Sequence, residues 1–290
     1  MRYAFVRANS SEFPTALLCR VLRVSRSGYY DWRKRGVSAR EQRRVEAAAR
    51  VKKVFEASGK IYGYRKVYRE LAKADAPHPS LETIRRLMAA QGLRARAKKS
   101  FVVTTDSAHD EPRAENLLNR DFHAPEPNRK WASDITYPRT REGWAYLAVI
   151  LDLFSRYVVG WKLSRRIDGA LACATFQRAL KSRRPGQGLL HHSDRGVQYA
   201  CQDYQHLLKS SGAVCSMSRK GNCWDNAPAE SFFGKLKSEF VRERVFTDLA
   251  EAEKELFWYI EVFYNRQRSH ATLGYLSPAQ YERQAARKAA

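Results

Sequence analysis

Three acidic residues in the second half of the 290-residue chain are suited to metal-ion chemistry. Asp134 lies inside a strand-like segment, Asp194 directly follows another, and Glu230 is early in a long helical stretch. A lone carboxylate in a half-apolar strand costs free energy unless it binds something. Carboxylates are the ligands that Mg²⁺ prefers, and two ions held this way catalyse phosphodiester chemistry. The residues therefore predict a metal-dependent phosphodiester site.

Other polar residues near these positions compete for the same role. Asp152 follows an apolar run, and we expect it to cap a turn or pair with Arg156. Asp225 precedes a helix start and is interpreted as a capping residue. His191 and His192 are expected to orient Asp194 rather than act as a general base, because metal ions can activate the nucleophile.

Aromatic and basic residues around the third acid leave two interpretations open. Trp224 is either a base-stacking wedge or a loop anchor, and the anchor is favoured. Phe232 and Phe233 are expected in the core. Three residues of the C-terminal region could bind phosphates or tie their helix to the sheet: Arg266, Arg268 and His270.

The elements that would position these residues form an α/β pattern. Strand-like stretches at residues 131–137, 145–152 and 157–163 predict an antiparallel meander. A helix at 168–181, a strand at 188–192, a helix at 198–211, a strand at 213–217 and helices from 227 follow. Strands followed by alternating helices and strands predict a mixed sheet with flanking helices.

The first third of the chain is strongly basic and helical. Residues 1–100 carry 25 basic and 8 acidic side chains, a net charge of +17 out of +23 for the whole chain. Helices are predicted at 14–22 and 27–35, with Ser25 as a cap, and at 64–73 and 80–91, with Gly92 as the end. Both pairs resemble helix-turn-helix segments. The candidate DNA contacts here are Arg65, Arg85, Arg86, Arg94, Arg96, Lys98 and Lys99.

Composition shifts predict three regions: a helical DNA-binding region at 1–104, a linker at 105–128 and a catalytic domain at 129–290. The five cysteines are scattered and form no C-x-x-C pair, so we expect free thiols. No apolar run approaches the roughly 20 residues of a membrane helix, and there is no signal-peptide pattern. We therefore expect a cytoplasmic protein.

Several motifs together resemble a known family. They are WASDITY at 131–137, HHSDRGVQY at 191–199, GNCWDNAPAESFFGKLK at 221–237, YGYR at 62–65 and YNRQRSH at 264–270. The chain is similar to the DDE transposases and integrases, specifically the second-reading-frame product of family-three insertion sequences. The resemblance implies a ribonuclease H-like five-stranded sheet and two Mg²⁺ ions, replaceable by Mn²⁺, on Asp134, Asp194 and Glu230. It also implies that Lys237, on the helix face of Glu230 and Phe233, contacts DNA.

The implied activity is metal-dependent strand cleavage and strand transfer at the ends of an insertion sequence. The implied partners are the terminal inverted repeats, target DNA and further copies of the chain on paired ends. An upstream-frame helix-turn-helix and leucine-zipper product, as partner or fusion, is expected to share end recognition and oligomerisation. The alternatives are a ribonuclease H-like nuclease without strand transfer and a non-catalytic DNA-binding regulator.

The charge of residues 1–100 gives a first prediction. DNA affinity should fall steeply with salt, because each neutralised phosphate releases counterions. Six to ten phosphate contacts would lower affinity about 10³–10⁵-fold between about 50 and 200 mM salt. Anisotropy titrations of the full chain with a labelled duplex at several salt concentrations measure this slope. A slope near zero would contradict binding through phosphates.

Overall fold

The computed structural model describes residues 2–35, 38–74, 77–95, 114–219, 222–241 and 244–289. The chain divides into two compact units, Met1–Arg94 and Ala95–Ala290. The predicted regions 1–104, 105–128 and 129–290 remain predictions. Residues 114–128 belong to the second unit, where Leu118 packs against Ala132 and Leu153.

The first unit is helical. Its helices are α1 (Arg2–Ala8), α2 (Thr15–Val21), α3 (Arg26–Lys34), α4 (Ala39–Ala57), α5 (Tyr64–Ala72) and α6 (Leu81–Ala90). Ser25 accepts a hydrogen bond from the Gly28 amide at 3.2 Å, which confirms its capping role. The sequence did not predict α1 and α4, because their buried sides are narrow: Val6 in the first, Val51 and Phe55 in the second.

Two separate hydrophobic clusters hold these helices. Val6, Leu18, Cys19 and Tyr29 join α1, α2 and α3. The second cluster joins α4, α5 and α6 and consists of Val51, Phe55, Tyr62, Val67, Leu71, Ile84, Leu87 and Met88. Each predicted helix pair therefore packs on one further helix.

The second unit is built on a five-stranded sheet. Its strands are β1 (Lys130–Thr136), β4 (Tyr146–Asp152), β5 (Val158–Ser164), β6 (Leu190–Ser193) and β7 (Val214–Met217), and β2 (Arg139–Thr140) and β3 (Gly143–Trp144) form a small hairpin. The order is β5-β4-β1-β6-β7. The β1–β4 and β4–β5 pairs are antiparallel, whereas β1–β6 and β6–β7 are parallel. This confirms the predicted ribonuclease H-like mixed sheet.

Helices flank the sheet. They are α7 (Gly169–Arg183), α8 (Val197–Ala200), α9 (Gln202–Ser210), α10 (Ala227–Leu236), α11 (Leu249–Phe257) and α12 (Pro278–Ala289). Helices α10 and α11 continue as π-helical segments, Lys237–Val241 and Trp258–Tyr264. The single helix predicted at 198–211 is wrong, because Cys201 adopts an extended conformation that separates α8 from α9.

The main core lies between the sheet and α7 to α9. Trp131, Ile150 and Val159 of the sheet pack with Phe176 and Tyr204 of the helices. Gly160 allows close approach, because a Cβ there would lie 2.8 Å from the Thr175 carbonyl oxygen of α7. No helix in the described ranges is long and apolar enough to cross a membrane. The cysteines whose side chains are described are free thiols: Cys19, Cys173, Cys201 and Cys215.

An ion-pair network holds the C-terminal helix α12 on this unit. The Arg183 guanidinium donates to both Glu282 oxygens, at 2.5 and 3.0 Å, and lies 3.6 Å from Asp152. Ser155 Oγ donates to the same carboxylate at 2.6 Å. The side chains of Arg183 and Glu282 are 18% and 17% exposed, so water screens the pair only partly.

Glu282→Ala should therefore destabilise the second unit. Breaking a fully buried pair costs about 3–5 kcal/mol and an exposed pair at most about 1 kcal/mol, so we expect about 2 kcal/mol here. That loss lowers Tm by about 4–8 °C in a domain of this size. Thermal unfolding followed by circular dichroism measures it. The control is Glu255→Ala, whose pair with Arg244 is 41% and 51% exposed and should change Tm little. Equal effects of the two changes would contradict the anchoring role.

Candidate active site

Asp134 lies on β1 and Asp194 directly follows the neighbouring parallel strand β6, at matching positions. Ala132 of β1 is paired with His192 of β6, and each aspartate lies two residues further along its chain segment. Strands are about 4.8 Å apart and side chains alternate between faces, so this register brings both carboxylates to one face of the sheet. The opposite face of β1 carries Ser133, whose Oγ lies 3.2 Å from His191 Nε2.

Backbone amides orient both aspartates. The Ile135 amide donates to Asp134 Oδ1 at 2.8 Å, and the Gly196 amide donates to Asp194 Oδ1 at 3.0 Å. The Arg195 side chain donates to the Ser218 carbonyl at 2.6 Å and so links the segment after β6 to the segment after β7. The turn carrying Asp194 is therefore held from two sides.

Helix α10 brings Glu230 to the same region. The helix packs on β1 and β4 and buries Ala229, Phe232, Phe233 and Leu236. Asn226, directly before the helix, donates from Nδ2 to the Ser133 carbonyl at 3.0 Å. Since Ser133 precedes Asp134 and Glu230 lies in the first turn of α10, this bond fixes the helix start beside the first aspartate.

The three acidic groups act on one another electrostatically. Burial and the charges of Asp194 and Glu230 raise the pKa of Asp134 well above its usual value, whereas the Ile135 amide and Lys237 oppose this. Negative charge is therefore concentrated at one point, and Lys237 lies within electrostatic range of it. A bound cation would relieve this repulsion.

The carboxylates are near one another but not at coordination distance. Among the described residues, no three His, Cys, Asp or Glu side chains converge closely enough to hold a metal ion. Glu230 is partly exposed and Asp134 and Asp194 are half-buried.

Asp152 has a structural role, as expected. Its carboxylate accepts hydrogen bonds from the Asn128 amide at 2.7 Å and the Phe154 amide at 2.9 Å. The second bond confirms the predicted turn cap. The ion-pair partner is Arg183, however, and not the predicted Arg156.

Asp225 is structural too, but the predicted helix cap is wrong. Its fully buried carboxylate accepts hydrogen bonds from Arg219, Arg120 and Asn116, and we call these three residues with Asp225 the Asp225 cage. Hydrogen bonds from Arg219 hold the pKa of Asp225 well below its usual range. The cage joins the segment before β1 to the turn before α10. Sequence reasoning missed it because Arg120 and Asn116 lie 105 and 109 positions from Asp225.

The two histidines do not orient Asp194, contrary to the prediction. His191 Nε2 lies 2.7 Å from Tyr204 Oη, and the His192 ring nitrogens lie 2.9 and 3.1 Å from Ser216 Oγ and Ser218 Oγ. Burial lowers the pKa of His191 to about 3 and that of His192 to about 4. Both rings are neutral groups that join the strands.

The remaining aromatic and basic residues separate into exposed and buried sets. Phe232 and Phe233 are buried, which confirms the core prediction. Trp224 is 68% exposed, so the favoured interpretation as an anchor is wrong. Buried Arg268 pairs with Glu239, and buried His270 packs edge-on against Tyr264, which favours a structural role for both. Arg266 is exposed.

The predicted DNA contacts of the first unit lie on exposed surfaces where they are described. Arg65 is on α5, Arg85 and Arg86 are on α6, and Arg94 follows α6; all four are exposed. Arg85 and Arg86 both donate to Glu82, at 2.7 and 2.9 Å. Their charge is thus partly balanced within the helix. Three predicted contacts, Arg96, Lys98 and Lys99, lie outside the described residues.

Comparisons with known proteins agree across most of the chain. Two models described as "Integrase core domain" match residues 124–223 and 230–285, and one described as "HTH-like domain" matches residues 41–101. The chain is 44% identical over 284 residues to the transposase InsF for insertion sequence IS3A of Escherichia coli K12, covering 97% of this chain and 98% of the relative. It is 42% identical over 264 residues to the IS600 uncharacterized 31 kDa protein of Shigella sonnei, covering 91% and 97%.

A solved structure that resembles part of this chain is the HTLV-2 integrase catalytic core domain in complex with magnesium, in its trimeric form. The two share 17% identity and a TM-score of 0.44, over 55% of this chain and 99% of that chain.

The lowered pKa of His191 gives a prediction for stability against pH. An unfolded histidine takes up a proton near pH 6.5, whereas folded His191 does so only near pH 3. The free energy of unfolding should therefore fall as pH drops below about 6.5, by about 1.4 kcal/mol per pH unit from this group. In His191→Asn the dependence between pH 6.5 and about 4 should be flatter by that amount, although the variant is less stable at pH 7. Urea unfolding at several pH values measures both slopes, and equal slopes would contradict a neutral buried ring.

Proposed function

The chain belongs to the InsF transposases of IS3-type insertion sequences, which cleave and transfer DNA strands, and from this premise we propose that its chemistry takes place at Asp134, Asp194 and Glu230. One observation carries the proposal. The charges of Asp194 and Glu230 both disfavour ionisation of Asp134, so three residues far apart in the chain concentrate negative charge at one point. Buried acids that repel one another persist in proteins mainly at functional sites.

The donor set suits a hard divalent cation. Carboxylate oxygens and no sulfur ligands favour Mg²⁺, with Mn²⁺ as a substitute, and three carboxylates provide charge for two ions. When bound, such ions activate an attacking hydroxyl and stabilise the leaving oxygen of a phosphodiester. The chain's own contribution is to hold the ligands. Hydrogen bonds from backbone amides orient the two aspartates, and the hydrogen bond from Asn226 to the Ser133 carbonyl fixes the start of the helix that carries Glu230.

Positive residues from both parts of the chain would bind the DNA. Lys237 directly follows α10, is exposed and acts on Asp134 electrostatically, so we assign it to a phosphate near the scissile bond. Arg65, Arg85, Arg86, Arg94, Arg96, Lys98 and Lys99 would contact phosphates of the end or target DNA. Assembly of further copies on paired ends, and cooperation with an upstream-frame product, belong to the same proposal.

Glu230→Gln tests the metal site. The change keeps size and hydrogen bonding but removes one negative charge, so Mg²⁺-dependent cleavage and joining should fall by about 10³-fold or more while Tm and DNA affinity stay unchanged. Asp134→Asn and Asp194→Asn should behave alike, and a double variant should add little because parts of one site act as a unit. Gel assays of labelled element ends, with target plasmid and any partner the wild type requires, measure both steps.

The matched control is Glu253→Gln, which removes the same charge from an exposed position on α11. It should retain near wild-type rates. Near wild-type joining by Glu230→Gln would refute the assignment of the site.

A further inference from the structure

Trp224 is a large apolar side chain left in solvent. It lies on the short 3₁₀ turn Cys223–Asn226, directly before α10, and 68% of its surface is exposed. Single exposed aromatic residues are common on protein surfaces, so exposure alone has no functional meaning. Two further features of its surroundings indicate a function.

The turn that carries Trp224 is held firmly on its C-terminal side. The next residue, Asp225, is fully buried, and its carboxylate accepts from the Arg219 side chain at 2.8 and 2.9 Å, from the Arg219 amide at 3.0 Å, and from Arg120 and Asn116 at 2.8 Å each. Asn226 is buried and bonded to the Ser133 carbonyl. The Asp225 cage therefore fixes the backbone while the neighbouring indole remains outside.

The same bonds limit where the backbone of Trp224 lies. The Trp224 Cα is at most about 7.6 Å from that of Asn226, because consecutive Cα atoms are 3.8 Å apart. Asn226 contacts the residue directly before Asp134, and Glu230 is four positions further along. The backbone that carries the exposed indole is thus held close to the end of β1 and to the start of the helix that carries Glu230.

We propose that Trp224 stacks on an unpaired base of the DNA end at the active site. The inference rests on the proposed function, since it requires a DNA end at the carboxylates. Bases inside a duplex have both faces covered, so an aromatic side chain can stack only where strands are separated or at a terminal pair. Such stacking tolerates any base, because every base has a π face. Trp224 would cover one face of a base in the strand adjacent to the scissile phosphate, where that base is already separated from its complement.

The experiment uses the full chain and a duplex element end with 2-aminopurine at successive positions near the cleavage site. This probe is bright when unpaired and quenched when stacked. With wild-type protein, one position should lose pairing and remain quenched, whereas Trp224→Ala should leave that position bright. Cleavage of the paired end should fall about tenfold in Trp224→Ala, as expected for one lost base–aromatic stack. Trp224→Phe, which keeps a ring, should recover most of both signals.

Two controls separate stacking from other roles. Phe257→Ala removes an aromatic residue that is 49% exposed on α11 and should change neither signal. Tm of Trp224→Ala should equal that of the wild type; a clear fall in Tm, or a changed oligomeric state without DNA, would show an anchor or a protein contact and overturn the proposal. Unchanged fluorescence and cleavage in Trp224→Ala would overturn it as well.

Comparing Glu230→Gln with Trp224→Ala distinguishes failure of the metal-site proposal from failure of the stacking proposal. Glu230→Gln should abolish cleavage and keep the quenched probe, because stacking needs only the bound DNA end. If Glu230→Gln still cleaves while Trp224→Ala alters the probe, the metal-site proposal fails and stacking stands. If Glu230→Gln is inactive and the 2-aminopurine fluorescence is the same with Trp224→Ala as with the wild type, only the stacking proposal fails.

Discussion

The parallel pairing of β1 with β6 is the constraint on which the candidate site depends. A shift of one residue in this register would turn one aspartate to the opposite face, because side chains alternate with a period of two. The register is secured on the covered face, where Ser133, His191 and Tyr204 are linked by hydrogen bonds among neutral groups. Hydrogen bonds to His191 Nε2 that form in only one pairing therefore help to determine where the acids on the other face lie.

The site opposes folding, and the rest of the unit compensates. A raised pKa means that ionised Asp134 is less stable in the folded chain than in the unfolded chain, so the acids cost stability at neutral pH. By contrast, arginine side chains pair with the carboxylates of Asp225 and Glu282 and so stabilise their ionised forms. A cation that binds only the folded site would recover the cost by mass action. Acidic residues of the same unit therefore have opposite effects on stability, and the charge of the groups around each carboxylate decides which effect it has.

Sequence reasoning succeeded where local rules determine the outcome and failed where distant partners do. The strand-like stretches and the alternating helices and strands after them sufficed to predict the mixed sheet, whereas the assignment of Asp134 and Glu230 as metal ligands stays a prediction. The roles of Asp225 and His192 could not be predicted, because each is decided by residues that the fold brings together. Trp224 is a further example: an aromatic residue at this position indicated either stacking or anchoring, but its exposure depends on the burial of the next residue, Asp225.

Charge is divided between the two units in a way that suits a strand-transfer enzyme. The first unit, residues 1–94, carries 22 basic and 8 acidic side chains, a net charge of +14 out of +23, so most of the attraction for phosphates lies outside the second unit. A catalytic face with a large positive excess would pair with its own carboxylates and weaken their hold on a cation. It would also bind substrate and product equally tightly, which does not accelerate the chemical step. Separating affinity from chemistry keeps the negative charge of the carboxylate face, where Lys237 is one opposing charge, available for metal ions.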